Sequence, residues 1–406
     1  MLLSRRTILQ GIAASAMMVA APGVLRSQTL RADRLSGDGS TNDLPILEGL
    51  IKEAERRGKG TIELPPGRFL LVPPNRRSAI ILPANVNLRG AGGDRTVLLM
   101  APGITGHVVN ATFGYSQISD LTIDGNEALR EGAIGHGLRI GGDKVMVERV
   151  RIINTPSYGL AISQKNYARN IVIKDVQIEN AGADGIDIKN RIGRTADVLI
   201  EDVTVTRFGR PDRRLDPSLI GTRADKRSNK AAVDLRGRCE VRNLTVNGIL
   251  RNRDGLRFRP GEGGEKKNLG AHGSKASGVI IRANPKQTGV NGIAVTARDV
   301  EIANVDIDGA DVGITVTAAN VSITGGRIKN SRFALNTREN KHGNPSGLVL
   351  RDVEFEASGF RIFETQPAPR FENCTFTQCK VPGAEAMKQS GAEFTQTEFD
   401  ESCGTH

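Results

Sequence analysis

Between Val145 and Phe355 an eight-residue phrase returns at intervals: VMVERVRI from Val145, IVIKDVQI from Ile171, VLIEDVTV from Val198, CEVRNLTV from Cys239, VEIANVDI from Val300 and LVLRDVEF from Leu348. Each alternates apolar and polar residues around a two-residue kink. A second phrase, Gly-apolar-x-apolar, keeps step with the first: HGLRI from His136, YGLAI from Tyr158, DGIDI from Asp184, AAVDL from Ala231, DGLRF from Asp254, NGIAV from Asn291 and VGITV from Val312. Gly137 and Gly159, Ala232 and Gly255, and Gly292 and Gly313 lie 22, 23 and 21 residues apart. Period-2 alternation marks strands with one buried face, and its return about every two dozen residues marks a solenoid whose strands stack in parallel. The expected architecture is all-β, a parallel β-helix. A leucine-rich repeat is excluded because its Leu-x-x-Leu-x-Leu spacing and Asn position are missing. With 47 Gly, no Trp and 4% aromatics, the core must be built from Val, Ile and Leu.

Ahead of the coils, GDGSTNDLPILEGLIKEAERRGKGTIELPPGRFLL predicts a turn, an amphipathic helix near Pro45–Arg57 with Asn42 or Asp43 as its cap, and a strand. Gly37-Asp38-Gly39, GTIELPPGRFLL and VNLRGAG resemble the opening of the right-handed parallel β-helix proteins of the pectate lyase superfamily. The resemblance covers about Ser36 to Phe363 and implies a single-stranded right-handed parallel β-helix with an N-terminal capping helix. It carries no one activity, since lyases, hydrolases, epimerases and phage tailspikes share that fold.

The start of the chain, MLLSRRTILQGIAASAMMVAAPGVLRSQ, resembles a twin-arginine export signal, which implies a periplasmic or secreted protein. Its apolar run is short of the roughly 20 residues needed to span a bilayer, so stable membrane insertion after cleavage is not expected. The domain reading is a signal at 1–27, a β-helix at 28–380 with its cap at 36–60, and a tail at 381–406 that either caps the solenoid or stays loose. Two basic insertions, near 207–230 and 259–277, break the repeat. Cys239 and Cys374 fall on apolar positions and read as core thiols; Cys379 and Cys403 are candidates for a bridge. No Cys-x-x-Cys pair points to zinc.

The net charge of +11, of which Arg5, Arg6 and Arg26 supply three, favours an anionic partner. An export signal and the absence of a nucleic-acid motif argue against DNA or RNA, and scarce aromatics argue against neutral glycans bound by stacking. An acidic polysaccharide fits best. Oligomeric state stays open. Stacked coils lie about 4.8 Å apart, so outward residues of the second phrase form a ladder: Arg139, Ala161, Asp187, Asp234, Arg257, Ala294 and Thr315. Lys189, Arg236 and Arg259 belong to the ladder beside it. Such charges also serve plain solubility on a solvated sheet face, but two opposed carboxylates repel and call for a cation, a shared proton or nearby arginines. Asp184 and Asp254, before Gly in their phrases, suit turn hydrogen bonds. His136 and Tyr158 share that turn position; His272 lies in the second insertion and His342 in a later loop.

Lys189, Arg236, Asp187 and Asp234 are the catalytic candidates, and Arg257, Arg259, Arg139, Asp184, Asp254 and His272 the substrate-binding ones. A lyase acting on uronate polymers must neutralise the substrate carboxylate and remove the neighbouring proton. Asp187 and Asp234 offer oxygens to a calcium ion for the first task, and Lys189 suits the second better than an arginine, whose pKa exceeds about 12. Three alternatives stay open. ADGID, Ala183–Asp187, resembles the stretch carrying the first catalytic aspartate of polygalacturonases, which implies a hydrolase using Asp187 and Asp234, but that family's Asp-Asp pair and later Gly-His-Gly are missing here. A C5-epimerase would use the same proton abstraction without cleavage. A non-catalytic β-helix would hold the polymer between its basic loops.

Overall fold

A computed structural model of the chain describes residues 29–74, 78–104, 106–126, 135–162, 168–189, 195–209, 230–260, 270–340, 343–363, 365, 367–379, 391–400 and 403. The segment read as an export signal, His342, most of the first insertion and about half of the second lie outside the described residues. Among those described, the strands form two parallel sheets, one of 20 strands and one of 11. Each strand pairs with its counterpart one coil on, so the chain winds as a parallel β-helix. No helix among the described residues is long and apolar enough to cross a membrane.

The kink in the first phrase is a single residue in the left-handed region. Arg149, Asp175, Asp202, Asn243, Asn304 and Asp352 all have φ between 49° and 56°, and each is the fifth residue of its phrase. Asp and Asn tolerate this conformation because a short polar side chain offsets its steric cost through local hydrogen bonds. Here the bonds run between coils: Asn243 Nδ2 donates to Asp202 Oδ1 at 2.9 Å, and Arg149 Nε donates to Asp120 Oδ1 at 2.6 Å. The long strands Ala168–Ala181 and Thr195–Phe208 therefore bend without breaking register on either side of the corner.

The glycine of the second phrase has a different cause. A Cβ on Gly255 would lie 2.5 Å from the Gly292 carbonyl oxygen of the next coil, and one on Gly185 2.6 Å from that of Ala232. The alternating residues Ile186, Ile188, Val233, Leu235, Leu256 and Phe258 are fully buried in the solenoid interior, which puts Asp187, Asp234 and Arg257 on the outer face.

The cap helix runs Leu44–Arg56, buries Leu44, Leu47, Ile51 and Ala54, and closes the first coils. Asn42 Oδ1 accepts from Leu44 N at 3.2 Å, while Asp43 accepts from the amides of Ser36 and Gly37 instead of capping. At the other end the stack continues beyond the expected boundary at 380. Strands Glu393–Thr395 and Glu398–Phe399 pair with Arg370–Glu372 and Thr375–Thr377. Phe371 stacks on Phe394 at 5.1 Å and Phe376 on Phe399 at 4.6 Å, an aromatic plug where the aliphatic core ends. The second insertion is also shorter than expected, since Lys275–Arg282 is already a strand of the larger sheet.

Candidate functional site on the outer face of the eleven-stranded sheet

Three consecutive strands build the site: Ile186–Ile188, Lys230–Leu235 and Arg253–Phe258. Asp187 pairs in register with Asp234, and Asp234 with Arg257. Ala161 precedes them on the ladder and Ala294 follows, so the run of Asp187, Asp234 and Arg257 is bounded by alanine on both sides. The first insertion enters the strand carrying Asp234, and the second leaves the strand carrying Arg257.

The carboxylates are not solvated. Asp187 is 0% and Asp234 1% exposed, which overturns the picture of a solubility face with open charges. Burial of this kind demands counter-charges, because an unpaired buried ion is far more costly than a paired one. Arg236 Nη2 bridges the two carboxylates, at 2.5 Å from Asp187 Oδ1 and 3.2 Å from Asp234 Oδ2. Lys189 Nζ lies 3.2 Å from Asp187 Oδ2, Arg259 Nη1 3.1 Å from Asp234 Oδ2, and Arg257 Nε 3.4 Å from both Asp234 Oδ1 and Asp254 Oδ2. Arg236 was expected to meet substrate, but its side chain is only 8% exposed and its guanidinium is engaged below the surface. Arg257, at 4%, is likewise sealed. The cations of this cluster that reach outward are Lys189, 22% exposed, and Arg259, 38% exposed.

Asp184 is a buried turn residue, as its place before Gly suggests, whereas Asp254, expected in a turn, is buried inside strand Arg253–Phe258. Asp184 Oδ1 accepts from Ala231 N at 2.7 Å, and Asp254 Oδ1 accepts from Asn291 Nδ2 at 2.7 Å. Neither contacts solvent enough to bind a polymer. Burial, followed by the carboxylates of Asp234 and Asp187, pushes Asp184 up to about 7. Burial also raises Asp187, against the opposing pull of Arg236 and Lys189, and raises Asp254 against Arg257. Arg139 shares the ladder, between Asn110 and Ala161. His272 does not join the cluster: its Nδ1 accepts from Arg298 N at 3.1 Å, so its neighbours belong to the turn after strand Asn291–Val295.

The sequence set His136 and Tyr158 at one turn position but did not show their ring contacts or the part of His107. His107 stacks on His136 with ring centroids 4.4 Å apart, the Tyr158 ring lies tilted against His136 at 4.8 Å, and Lys189 Nζ lies 4.6 Å from the Tyr158 ring centroid. Burial, then the charges of His107, Lys189 and Arg139, depresses His136 far below its usual range, and burial leads in raising the Tyr158 phenol well above its own. The signal was there in the shared pre-glycine position of His136, Tyr158 and Asp184. Arg253 was also missed. It is 1% exposed, and its guanidinium donates to the carbonyls of Gly209, Arg251 and Asn252, tying the chain that enters the site.

Asp184, Asp187 and Asp234 each offer an oxygen within 4.8 Å of the others. Calcium takes six to eight oxygen ligands. Here the oxygens of Asp187 and Asp234 already face Arg236, Lys189, Arg257 and Arg259, so a dication would be set against guanidinium groups. The donor set does not fit a calcium ion.

Residues 231–405 match the family model described as right handed beta helix region. Alginate lyase 7 of Azotobacter vinelandii is 33% identical over 174 residues, which cover 39% of this chain and 20% of that protein. Mannuronan C5-epimerase AlgE6 of the same organism is 31% identical over 176 residues, with the same coverage. The chain thus spans about a fifth of the length of these two relatives. Among solved structures, the AlgE6 A-module superposes with a TM-score of 0.57 at 18% identity, covering 91% of this chain and 99% of the module. The catalytic unit of a GH87 α-1,3-glucanase from Streptomyces thermodiastaticus strain HF3-3 gives 0.53 at 16%, over 94% of this chain and 69% of that one. Coil register, sheet order and these likenesses agree on the architecture: the chain folds as a right-handed parallel β-helix.

Proposed function

We propose that the chain acts on an acidic, uronate-containing polysaccharide laid along the outer face of the eleven-stranded sheet, and that it cleaves the polymer by β-elimination. One observation carries this reading: a buried network of Asp187, Asp234, Arg236 and Arg257 holds two cations, Lys189 and Arg259, at the surface two coils apart, with the coil of Asp234 and Arg236 between them. Arg259, a fixed cation on a polar face, suits a uronate carboxylate, and neutralising that carboxylate acidifies the adjacent C5–H. Arg259 takes the carboxylate. Lys189 removes the C5 proton, having first passed its own to Asp187, 3.2 Å away, whose raised pKa eases that transfer. The C5–H electrons form the C4=C5 bond, the C4–O bond breaks, and the Tyr158 phenol, kept protonated by its burial, supplies the proton to the leaving oxygen. Arg236 and Asp234 position Lys189 and Arg259 without touching the substrate. The names of the curated relatives, an alginate lyase and mannuronan C5-epimerases, favour polymannuronate among uronate polymers and admit a second outcome of the same proton removal, return of the proton to the opposite face of C5.

The test is incubation with polymannuronate, polyguluronate, polygalacturonate and an acidic exopolysaccharide. Ultraviolet absorbance from unsaturated uronide ends, lost in Lys189→Met and not restored by Lys189→Arg, supports the reading. New reducing ends without unsaturation, or unchanged product formation by Lys189→Met, overturns it.

A further inference from the structure

The mechanism leaves the C-terminal cysteines unused. Cys403 lies 24 residues after Cys379, one coil further along, and the Cys379 amide donates to Cys403 Sγ at 3.2 Å. Thr375 pairs with Glu398 and Phe376 with Phe399, each 23 residues on, so Cys403 stands one residue past the register of Cys379. With strands stacked about 4.8 Å apart and residues rising about 3.3 Å along them, that one-residue offset gives a Cα separation of about 6 Å, within the about 4.4–6.8 Å that a disulfide needs. Cys379 is buried and Cys403 is partly exposed, both as thiols. Cys374, buried as well, faces the carbonyls of Leu350 and Glu372 at 3.6 and 3.5 Å, much as Cys379 Sγ faces those of Phe355 and Thr377 at 3.6 Å; it is the contact with Cys403 that sets Cys379 apart.

We propose that Cys379 and Cys403 form a disulfide modification site that staples the last coil to the one before it and locks the Phe371, Phe376, Phe394 and Phe399 plug. The oxidant is a small-molecule or protein disulfide. Cys403, the accessible thiol, attacks it and forms a mixed disulfide, releasing one reduced thiol. Cys379 loses its proton and attacks the Cys403 sulfur, and the second thiol of the oxidant leaves. Two protein thiols are thereby oxidised and one disulfide is reduced to two thiols. Burial, with the Cys403 neighbour adding to it, pushes the Cys379 thiol up to about 12, so the second step quickens as pH rises.

The experiment incubates the reduced, folded protein with oxidised glutathione at pH 7 and pH 9. Thiols are then counted after denaturation in alkylating buffer, and disulfide-linked chymotryptic peptides are mapped, cleavage after Phe376 separating Cys374 from Cys379. The expected result is a fall from four thiols to two, faster at pH 9, with one Cys379–Cys403 cross-link that persists in Cys374→Ala and vanishes in Cys403→Ala. Oxidation should also slow proteolysis of the final coil several-fold. Four thiols remaining, a Cys374–Cys379 link, an intermolecular dimer or unchanged proteolysis overturns the proposal.

Discussion

Replacing Asp187 by Leu and Arg236 by Met, singly and together, probes the buried network at its centre. Asp187 is 0% exposed, and Arg236 reaches it at 2.5 Å with a side chain 8% exposed. Removing one partner of a buried ion pair costs about 3–5 kcal/mol, because the other is left uncompensated. The low end applies to each single variant: without Asp187, Arg236 still has Asp234 at 3.2 Å and Lys189 can turn to water; without Arg236, Lys189 and Arg259 still serve the two carboxylates. Each single change is therefore expected to cost about 3 kcal/mol in urea unfolding. The double variant removes both charges and buries two apolar side chains, so it too should cost about 3 kcal/mol, where additivity demands about 6. The coupling of about 3 kcal/mol is the quantity to measure. Single losses below about 1 kcal/mol, or a double variant additive within about 0.5 kcal/mol, would refute the claim that these groups support each other in a water-poor site.

Asp184 has its pKa raised in the folded state, so it holds a proton there that the unfolded chain has released. Its contribution is present below the ordinary carboxylate range and lost as pH rises through about 7; Asp184→Asn should shrink the stability difference between pH 5 and pH 8, and an unchanged difference contradicts the assignment. Since the oxygens of Asp187 and Asp234 face four cations, a chelator should leave activity on uronate polymer within about twofold, and strict calcium dependence would reverse that reading of the donor set. Gly255→Val should destabilise by about 1–3 kcal/mol, as overpacking against a neighbouring carbonyl does; wild-type unfolding would show that a Cβ at this position has room beside the Gly292 carbonyl.

Much of this was legible in the sequence because a solenoid converts linear spacing into contact. The interval between DGIDI and AAVDL, less the insertion near 207–230, leaves a single coil, which sets Asp187 opposite Asp234, and the pairing follows that register. The fifth residue of the first phrase announced the corner, although one left-handed residue makes it where two were expected. Burial was not legible. Alternation assigns Asp187 to the outer face but cannot tell whether that face meets water, so Arg236 and Arg257 read as substrate contacts when they neutralise carboxylates below the surface. The tail's place, left open between a cap and a loose end, was obscured for another reason: Phe394 and Phe399 continue the stack with aromatics in place of the Val and Ile that define the phrase upstream.

Solvent exchange at the substrate tests the central claim most directly. The protein is incubated with polymannuronate in deuterated buffer, and C5 of the recovered polymer and fragments is examined by NMR and mass spectrometry. The account predicts unsaturated ends, or deuterium at C5 wherever the proton is returned, both lost in Lys189→Met while the variant stays folded. Polymer recovered intact and fully protonated at C5 across the uronate panel would contradict it.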